Sequence, residues 1–183
     1  RGRDTMGAKL RMRDHKKSKE APKVRYPGEK GSPQNKLRYE LYRYVHEQLE
    51  EACEHGMLFE AIALCDMLIT DRIEAYCQYL LHHDDLQFET TSIGNAVAAL
   101  GSALNEKAPE VKNSDEWRAM EKRLNAFAHA RNTALHSFIL IKNAAKEVSI
   151  EERIDFVEVT AEDGITLARD IASFVSKRMV FEI

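Results

Sequence analysis

The chain has 183 residues, of which 44% are hydrophobic and only four are Pro, and this length and composition suit one globular, helix-rich domain. No apolar run approaches the roughly 18 residues needed to cross a bilayer, and no signal-peptide pattern opens the sequence. We therefore expect a cytoplasmic location and no membrane partner. Residues 1–38 hold 13 Lys/Arg against 4 Asp/Glu, a formal charge of +9, whereas the remainder holds 14 against 26, a formal charge of -12.

The basic segment at the start of the chain predicts a flexible arm. Residues 1–34 are polar, contain Pro22, Pro27 and Pro33, and show no sustained apolar period. Their Lys and Arg side chains could bind phosphates, although a solvated tail or a tag remnant fits the same composition. We therefore place the folded domain at residues 35–183.

Helical periodicity in the first half of that domain predicts three helices. The first runs from Asn35 to Glu54, and its apolar stripe consists of Leu37, Leu41, Tyr44, Val45, Leu49 and Ala52. The second runs from Leu58 to His82 and is apolar on nearly every side, which is typical of the central helix of a bundle. A third opens at residues 90–92 (T-T-S) and ends before Pro109.

The second half predicts a long helix from Ser114 to Ala145, which begins with a capping hydroxyl and acids in its first turn. Residues 149–159 follow as a short helix, or as a strand if their apolar residues alternate. A last helix, to Met179, begins at a capping box of Thr160 and Asp163. The whole pattern predicts an all-α bundle of four to six helices behind the basic arm.

An arginine lies in the middle of the apolar face of the long helix. At about 100° per residue, Leu124, Phe127, Leu135 and Phe138 share the stripe of Arg131. A guanidinium cannot lose its proton and is costly to bury without a partner. A carboxylate, a phosphate or a second chain must therefore meet it.

The R-N-T-A-L-H string at residues 131–136 resembles the R-N-x-x-x-H form of the HEPN motif, and the resemblance covers about residues 36–179. HEPN proteins are small all-α domains, and many are metal-independent ribonucleases that pair across a two-fold axis so that two motifs line one cleft. The resemblance implies a homodimeric endoribonuclease that needs no cofactor and acts on RNA in toxin–antitoxin or phage-defence systems. A non-catalytic HEPN-like module that dimerises or binds a nucleotide or RNA is the alternative.

The chemistry of the motif fits that expectation. Imidazole exchanges protons near neutral pH, so His136 can act as acid or base, and the always charged Arg131 can stabilise a phosphate. Asn132 would orient the motif, and His129, seven residues before His136, shares its face and could extend the cleft. The resemblance also implies a counter-ion for Arg131 on the second helix, either Asp66 or Asp71, since spacing does not choose between them. Asp71 could instead join a surface network with Arg72, and Arg131 and His136 could both be structural residues.

One residue departs from a subfamily pattern. HEPN toxins paired with a nucleotidyltransferase often have R-x4-H-x-Y, whose tyrosine is modified, but here Phe138 occupies that place. Without a hydroxyl, silencing by adenylylation there is not expected. A protein inhibitor or ligand-triggered activation remains as the means of control.

No metal site is predicted. Cys53, Cys65 and Cys77 form no C-x-x-C pair and are odd in number, which favours reduced thiols in the core. The H-H-D-D string at residues 82–85 has the composition of a ligand cluster, but a string at a helix end is more typical of a hydrated turn.

Overall fold

The computed structural model describes residues 33–81, 92–138 and 148–179, except for the side chains of residues 33–35 and 137. These residues form six helices and no strand: α1 Pro33–Glu54, α2 Leu58–Leu81, α3 Ile93–Lys107, α4 Pro109–Lys112, α5 Asp115–Ser137 and α6 Ile150–Arg178. The all-α prediction is therefore confirmed for the described part of the chain. Residues 1–32 of the basic arm, the H-H-D-D string and the predicted continuation of α5 to Ala145 lie outside it. Residues 33 and 34, which were assigned to the arm, instead begin α1.

The first helix pair is a tight hairpin. Gly56, between α1 and α2, has a φ of 68°, a backbone conformation that glycine adopts without steric cost. The apolar stripe predicted for α1 is only partly buried, because Leu49 and Ala52 face the core while Leu37, Leu41 and Tyr44 are more than half exposed. Tyr42, which lies between Leu41 and Tyr44 in the sequence, is buried, so the side of α1 that meets the core is rotated away from the predicted stripe.

The central position predicted for α2 is confirmed, since this helix contacts α1, α3, α5 and α6. Eleven of its residues are buried, among them Cys65, Ile69 and Tyr76. An aromatic cluster closes one end of the core, where the ring of Phe174 lies 6.3 Å from Tyr76 and 5.8 Å from the buried Trp117.

A serine precedes three of the helices, and its side chain accepts a hydrogen bond from the backbone amide three residues further along the chain. Ser92 caps α3, Ser114 caps α5, and Ser149 forms a full capping box with Glu152 at the start of α6. Because these side chains satisfy amides that a helix leaves unpaired, they fix where each helix begins.

The prediction of two separate elements over residues 149–179 was wrong. A single helix of 29 residues spans Ile150–Arg178, and the alternative of a strand fails with it. Thr160 is not a cap, because its hydroxyl donates to the carbonyl of Phe156, one turn earlier in the same helix, at 2.7 Å. A threonine in a helix interior can bond in this way, so its capping pattern at residues 160–163 was misleading.

Helices α5 and α6 form an antiparallel pair that positions the motif. Glu116 and Arg178 meet at 2.6 Å at one end, Arg123 and Asp170 at 2.7 Å further along, and Arg153 donates to the carbonyl of Phe138 at the other end. Residues 131–136 lie between the last two contacts. The motif is therefore near the end of the bundle where α5 finishes and α6 begins.

Candidate functional site

Two hydrogen bonds hold the side chain of Arg131, the first residue of the predicted motif. Its helical stripe places it after the buried Leu124 and Phe127, so its side chain is directed towards α2. Its Nη2 donates to Asp66 Oδ2 at 2.9 Å, and its Nη1 donates to Asn132 Oδ1 at 2.7 Å. The structure thus brings together three of the predicted residues, with the ion pair joining α5 to α2.

The ion pair is buried only in part, since the side chain of Arg131 is 25% exposed and that of Asp66 is 17% exposed. Burial raises the pKa of the Asp66 carboxyl above its ordinary value, and the charge and hydrogen bond of Arg131 lower it by less. Two atoms of the pair, Asp66 Oδ1 and Arg131 Nε, are buried and have no hydrogen-bond partner among the described residues. The contact therefore orients the guanidinium without satisfying either group completely.

Asp71, the other candidate counter-ion, pairs with its neighbour Arg72. The Nε of Arg72 donates to Asp71 Oδ2 at 2.9 Å, and its guanidinium carbon lies 5.0 Å from the centre of the Tyr42 ring. Arg72 is buried, so this network belongs to the contact of α1 with α2.

His136 lies apart from this cluster. It is exposed in the last turn of α5, five residues and hence about 140° around the helix from Arg131. Within the described residues, no hydrogen bond or ion pair joins the two. One chain therefore presents Arg131 towards α2 and His136 towards solvent.

The two supporting residues on the same helix also face outwards. Asn132 is exposed, and because its Oδ1 accepts from Arg131, its amide nitrogen is left to donate to another group. His129 is exposed as well, seven residues and so two turns before His136. An imidazole, an amide and a second imidazole thus follow one another along the exterior of α5.

A groove between α5 and α6 was not predicted from the sequence. It encloses about 300 Å³ and is lined by Arg123, Ala126, Phe127, Ala130, Asp163 and Leu167. Its signal in the sequence is a pair of small residues, Ala126 and Ala130, four apart on α5. Gly164 lets the Phe127 ring lie against α6, since a Cβ at that position would be 2.7 Å from the ring.

The cysteines lie in the core, as predicted. Cys53, Cys65 and Cys77 are free and buried, and burial raises the pKa of the Cys77 thiol to about 12. Such thiols are poor nucleophiles because they stay protonated at neutral pH.

The described residues contain no group of His, Cys, Asp and Glu that could bind a metal ion, and no helix among them is both long and apolar enough to cross a membrane.

Comparison of the chain with protein-family models, with curated proteins and with solved structures found no match.

Proposed function

We propose that the chain is a metal-independent endoribonuclease of the HEPN type, with Arg131 and His136 as its catalytic residues. The observation that supports this most directly is the fixed position of Arg131 between Asp66 and Asn132, on the same short stretch of helix as the exposed His136. Two chemically complementary groups thus lie within two turns of each other. Neither requires a metal ion to act on a phosphodiester.

The proposed reaction is attack of the RNA 2′-hydroxyl on the adjacent phosphorus. His136 removes the proton of the 2′-hydroxyl and gives a proton to the leaving 5′-oxygen as the P–O5′ bond breaks, because an imidazole can give and take protons near neutral pH. Arg131 stabilises the negative charge that develops on the phosphoryl oxygens, for which a forked cation is well suited. The products are a 2′,3′-cyclic phosphate and a 5′-hydroxyl.

The site is proposed to be completed by a second copy of the chain. Arg131 and His136 diverge by about 140° around α5, so a partner across a two-fold axis would bring further copies of both groups to the cleft. In a toxin–antitoxin or phage-defence system, a protein inhibitor or an activating ligand would control the enzyme, because Phe138 offers no hydroxyl for adenylylation.

A non-catalytic module of the same fold is the second candidate, and the ion pair itself favours it. The two amino groups of Arg131 both donate within the chain, which is what a purely structural arginine would do. In that case the motif stabilises the contact of α5 with α2, and the bundle acts by dimerising or by binding RNA or a nucleotide without turnover.

The test is cleavage of labelled RNA in excess EDTA by the wild type and by single variants. We expect Arg131→Ala to slow cleavage by about 10²–10³-fold, as removal of a charge-stabilising donor does. His136→Ala should slow it by about 10²–10⁴-fold, as loss of an acid–base group does. His55→Ala is the matched control, because His55 is exposed just after the end of α1 and its ring contacts the carbonyl oxygen of Glu51.

Circular dichroism and sedimentation should show that each variant remains folded and assembled as the wild type is. Loss of metal-free cleavage in both folded motif variants supports the enzyme. If the wild type is inert and Arg131→Ala unfolds more easily, the non-catalytic module is correct.

A further inference from the structure

The exterior of α5 bears six polar side chains in a single row. These residues, here called the outer face of α5, are Arg118, Lys122, Asn125, His129, Asn132 and His136, and all six are exposed. At 100° per residue they fall within a sector of about 80°, and at 1.5 Å per residue they extend over about 27 Å. The row is therefore narrow and straight, and His136 is at one end of it.

This row differs in charge from the rest of the folded body. No Asp or Glu occurs from Lys122 to Phe138, although residues 39–183 hold 26 acids against 14 Lys/Arg. The three acids of α5 precede this stretch, and each lies beside a cation. Asp115 is 3.5 Å from Arg118, Glu116 is 2.6 Å from Arg178, and Glu121 is 2.9 Å from Lys112.

Every side chain in the row can donate a hydrogen bond. Arg118 and Lys122 are cations, and the 3.5 Å contact of Arg118 with Asp115 is too exposed to hold it strongly, since the two side chains are 63% and 102% exposed. The amide nitrogen of Asn132 is available because its oxygen accepts from Arg131. Imidazole rings can both donate to phosphates and stack on unpaired bases.

We propose that the outer face of α5 is the surface along which single-stranded RNA lies, with its phosphates against Arg118, Lys122 and Asn125 and its scissile end at His136. This inference rests on the proposed function for the identity of the polyanion. An acidic body repels phosphates over most of its surface, so the acid-free row defines the path. A single strand can follow one exposed helix, whereas the grooves of duplex RNA do not admit such a ridge.

The experiment measures the affinity of the intact chain for a short 2′-O-methyl oligoribonucleotide, which has no free 2′-hydroxyl and so cannot be cleaved. Fluorescence anisotropy gives the dissociation constant between ~0.05 and ~0.2 M salt. The double variant Arg118→Gln/Lys122→Gln should reduce the slope of log affinity against log salt by ~1.4, since each lost contact with a single strand accounts for ~0.7.

The matched control is Arg169→Gln/Lys177→Gln, which removes the same two charges from exposed positions on α6. It should leave the slope within error of the wild type. On cleavable RNA, the α5 double variant should raise KM with kcat unchanged, because it loses binding that the ground state and the transition state share.

The inference is overturned if both double variants change the slope equally, or if the wild type does not bind the oligonucleotide at low salt. It stands if binding depends on Arg118 and Lys122 but RNA is never cleaved, in which case the ribonuclease proposal fails and the surface belongs to an RNA-binding module. If RNA is cleaved and the α5 variant matches its control, the surface is wrong and the proposed function survives.

Discussion

In the contact between Arg131 and Asp66, the two side chains make different numbers of hydrogen bonds. Arg131 donates to two oxygens, whereas Asp66 accepts through Oδ2 alone and keeps Oδ1 buried without a partner in the described residues. Burial of Asp66 therefore outweighs the attraction of Arg131, and the pKa of this carboxyl is raised. For these two residues, the contact fixes the orientation of the Arg131 guanidinium more than it raises the free energy of unfolding.

The pKa of Asp66 gives the first prediction. Arg131→Ala removes the charge and the hydrogen bond that lower this pKa, so the pKa should rise further above its ordinary value. Carbon-13 NMR titration of the carboxyl group measures it directly. An Asp66 pKa that does not change in the variant would show that the ion pair does not form in solution.

The same shift determines how stability depends on pH. Because the folded pKa of Asp66 lies above its unfolded value, the contribution of this group to the free energy of unfolding is greatest below the unfolded pKa. That contribution falls as pH rises through the folded pKa. Asp66→Asn should abolish this part of the pH dependence, and Arg131→Ala should extend it to higher pH, as denaturant unfolding at a series of pH values would show.

The residues alone predicted that Arg131 needs a carboxylate, a phosphate or a second chain, and the HEPN resemblance implied an acid on α2 without choosing which one. Asp66 and Asp71 are five residues apart on the same helix, and the choice depends on how far α2 is shifted along α5. That shift is set by packing, notably of Phe127 and Cys65 around Gly164, which the spacing of polar residues does not reveal. The separation of His136 from Arg131 was not predicted, although the helical angle of about 140° between the two residues accounts for it.

At the scale of the elements, Gly164 determines how closely α5 approaches α6. A Cβ there would lie 2.7 Å from Phe127 Cε2 and 3.1 Å from Cys65 Cβ, so the added methyl would be compressed from two sides. Phe127 and Cys65 are both buried and have little room to move. The antiparallel pair that presents the motif therefore depends on a residue with no side chain.

Gly164→Ala should destabilise the fold by about 1–3 kcal/mol through overpacking, which exceeds the gain of up to ~1 kcal/mol that alanine brings to a helix interior. Gly94→Ala on α3 is the control, since its nearest neighbour would be 3.9 Å away and the change should be neutral or stabilising. Urea unfolding compares the two. Equal stability of both variants would contradict the close contact at Gly164.

The start of α6 provides a separate prediction. Ser149 accepts from the amide of Glu152 at 3.1 Å, and Glu152 accepts from the amide of Ser149 at 2.8 Å. Ser149→Ala should cost about 1 kcal/mol and speed hydrogen exchange at the Glu152 amide. The control is Ser176→Ala, at an exposed position in the last turns of the same helix, and it should have no such effect. Thr160→Val should also leave the start of α6 in place, because Thr160 is not its cap.

The capping pattern also explains an error of prediction. Residues 149–152 and 160–163 both have a hydroxyl followed three positions later by an acid, so the sequence offered two starts for one helix. Only the first is used, because Val157 and Ala161, on either side of Thr160, are both buried and hold the helix continuous. Helix type was thus predictable, whereas this boundary and the short helix α4 were not.

At the scale of the whole molecule, the distribution of charge connects fold and proposed function. An acidic body disfavours RNA binding, but the acids of this body are not evenly distributed, because the last sixteen residues of α5 contain none. The net charge of the whole chain does not reveal this uneven distribution of acids, whereas the position of each charged residue along α5 does. The exposed Leu37, Leu41 and Tyr44 on α1 are likewise visible only in three dimensions, since their stripe has an ordinary amphipathic period.

Identification of the RNA ends produced in excess EDTA by the wild type and by His136→Ala is the most decisive test of the proposed ribonuclease. We expect 2′,3′-cyclic phosphate and 5′-hydroxyl ends from the wild type, with almost none from a folded His136→Ala chain. His129→Ala should yield the same ends as the wild type, because that residue is not proposed to transfer the proton. Ends bearing a 5′-phosphate, or undiminished cleavage by His136→Ala, would contradict the claim.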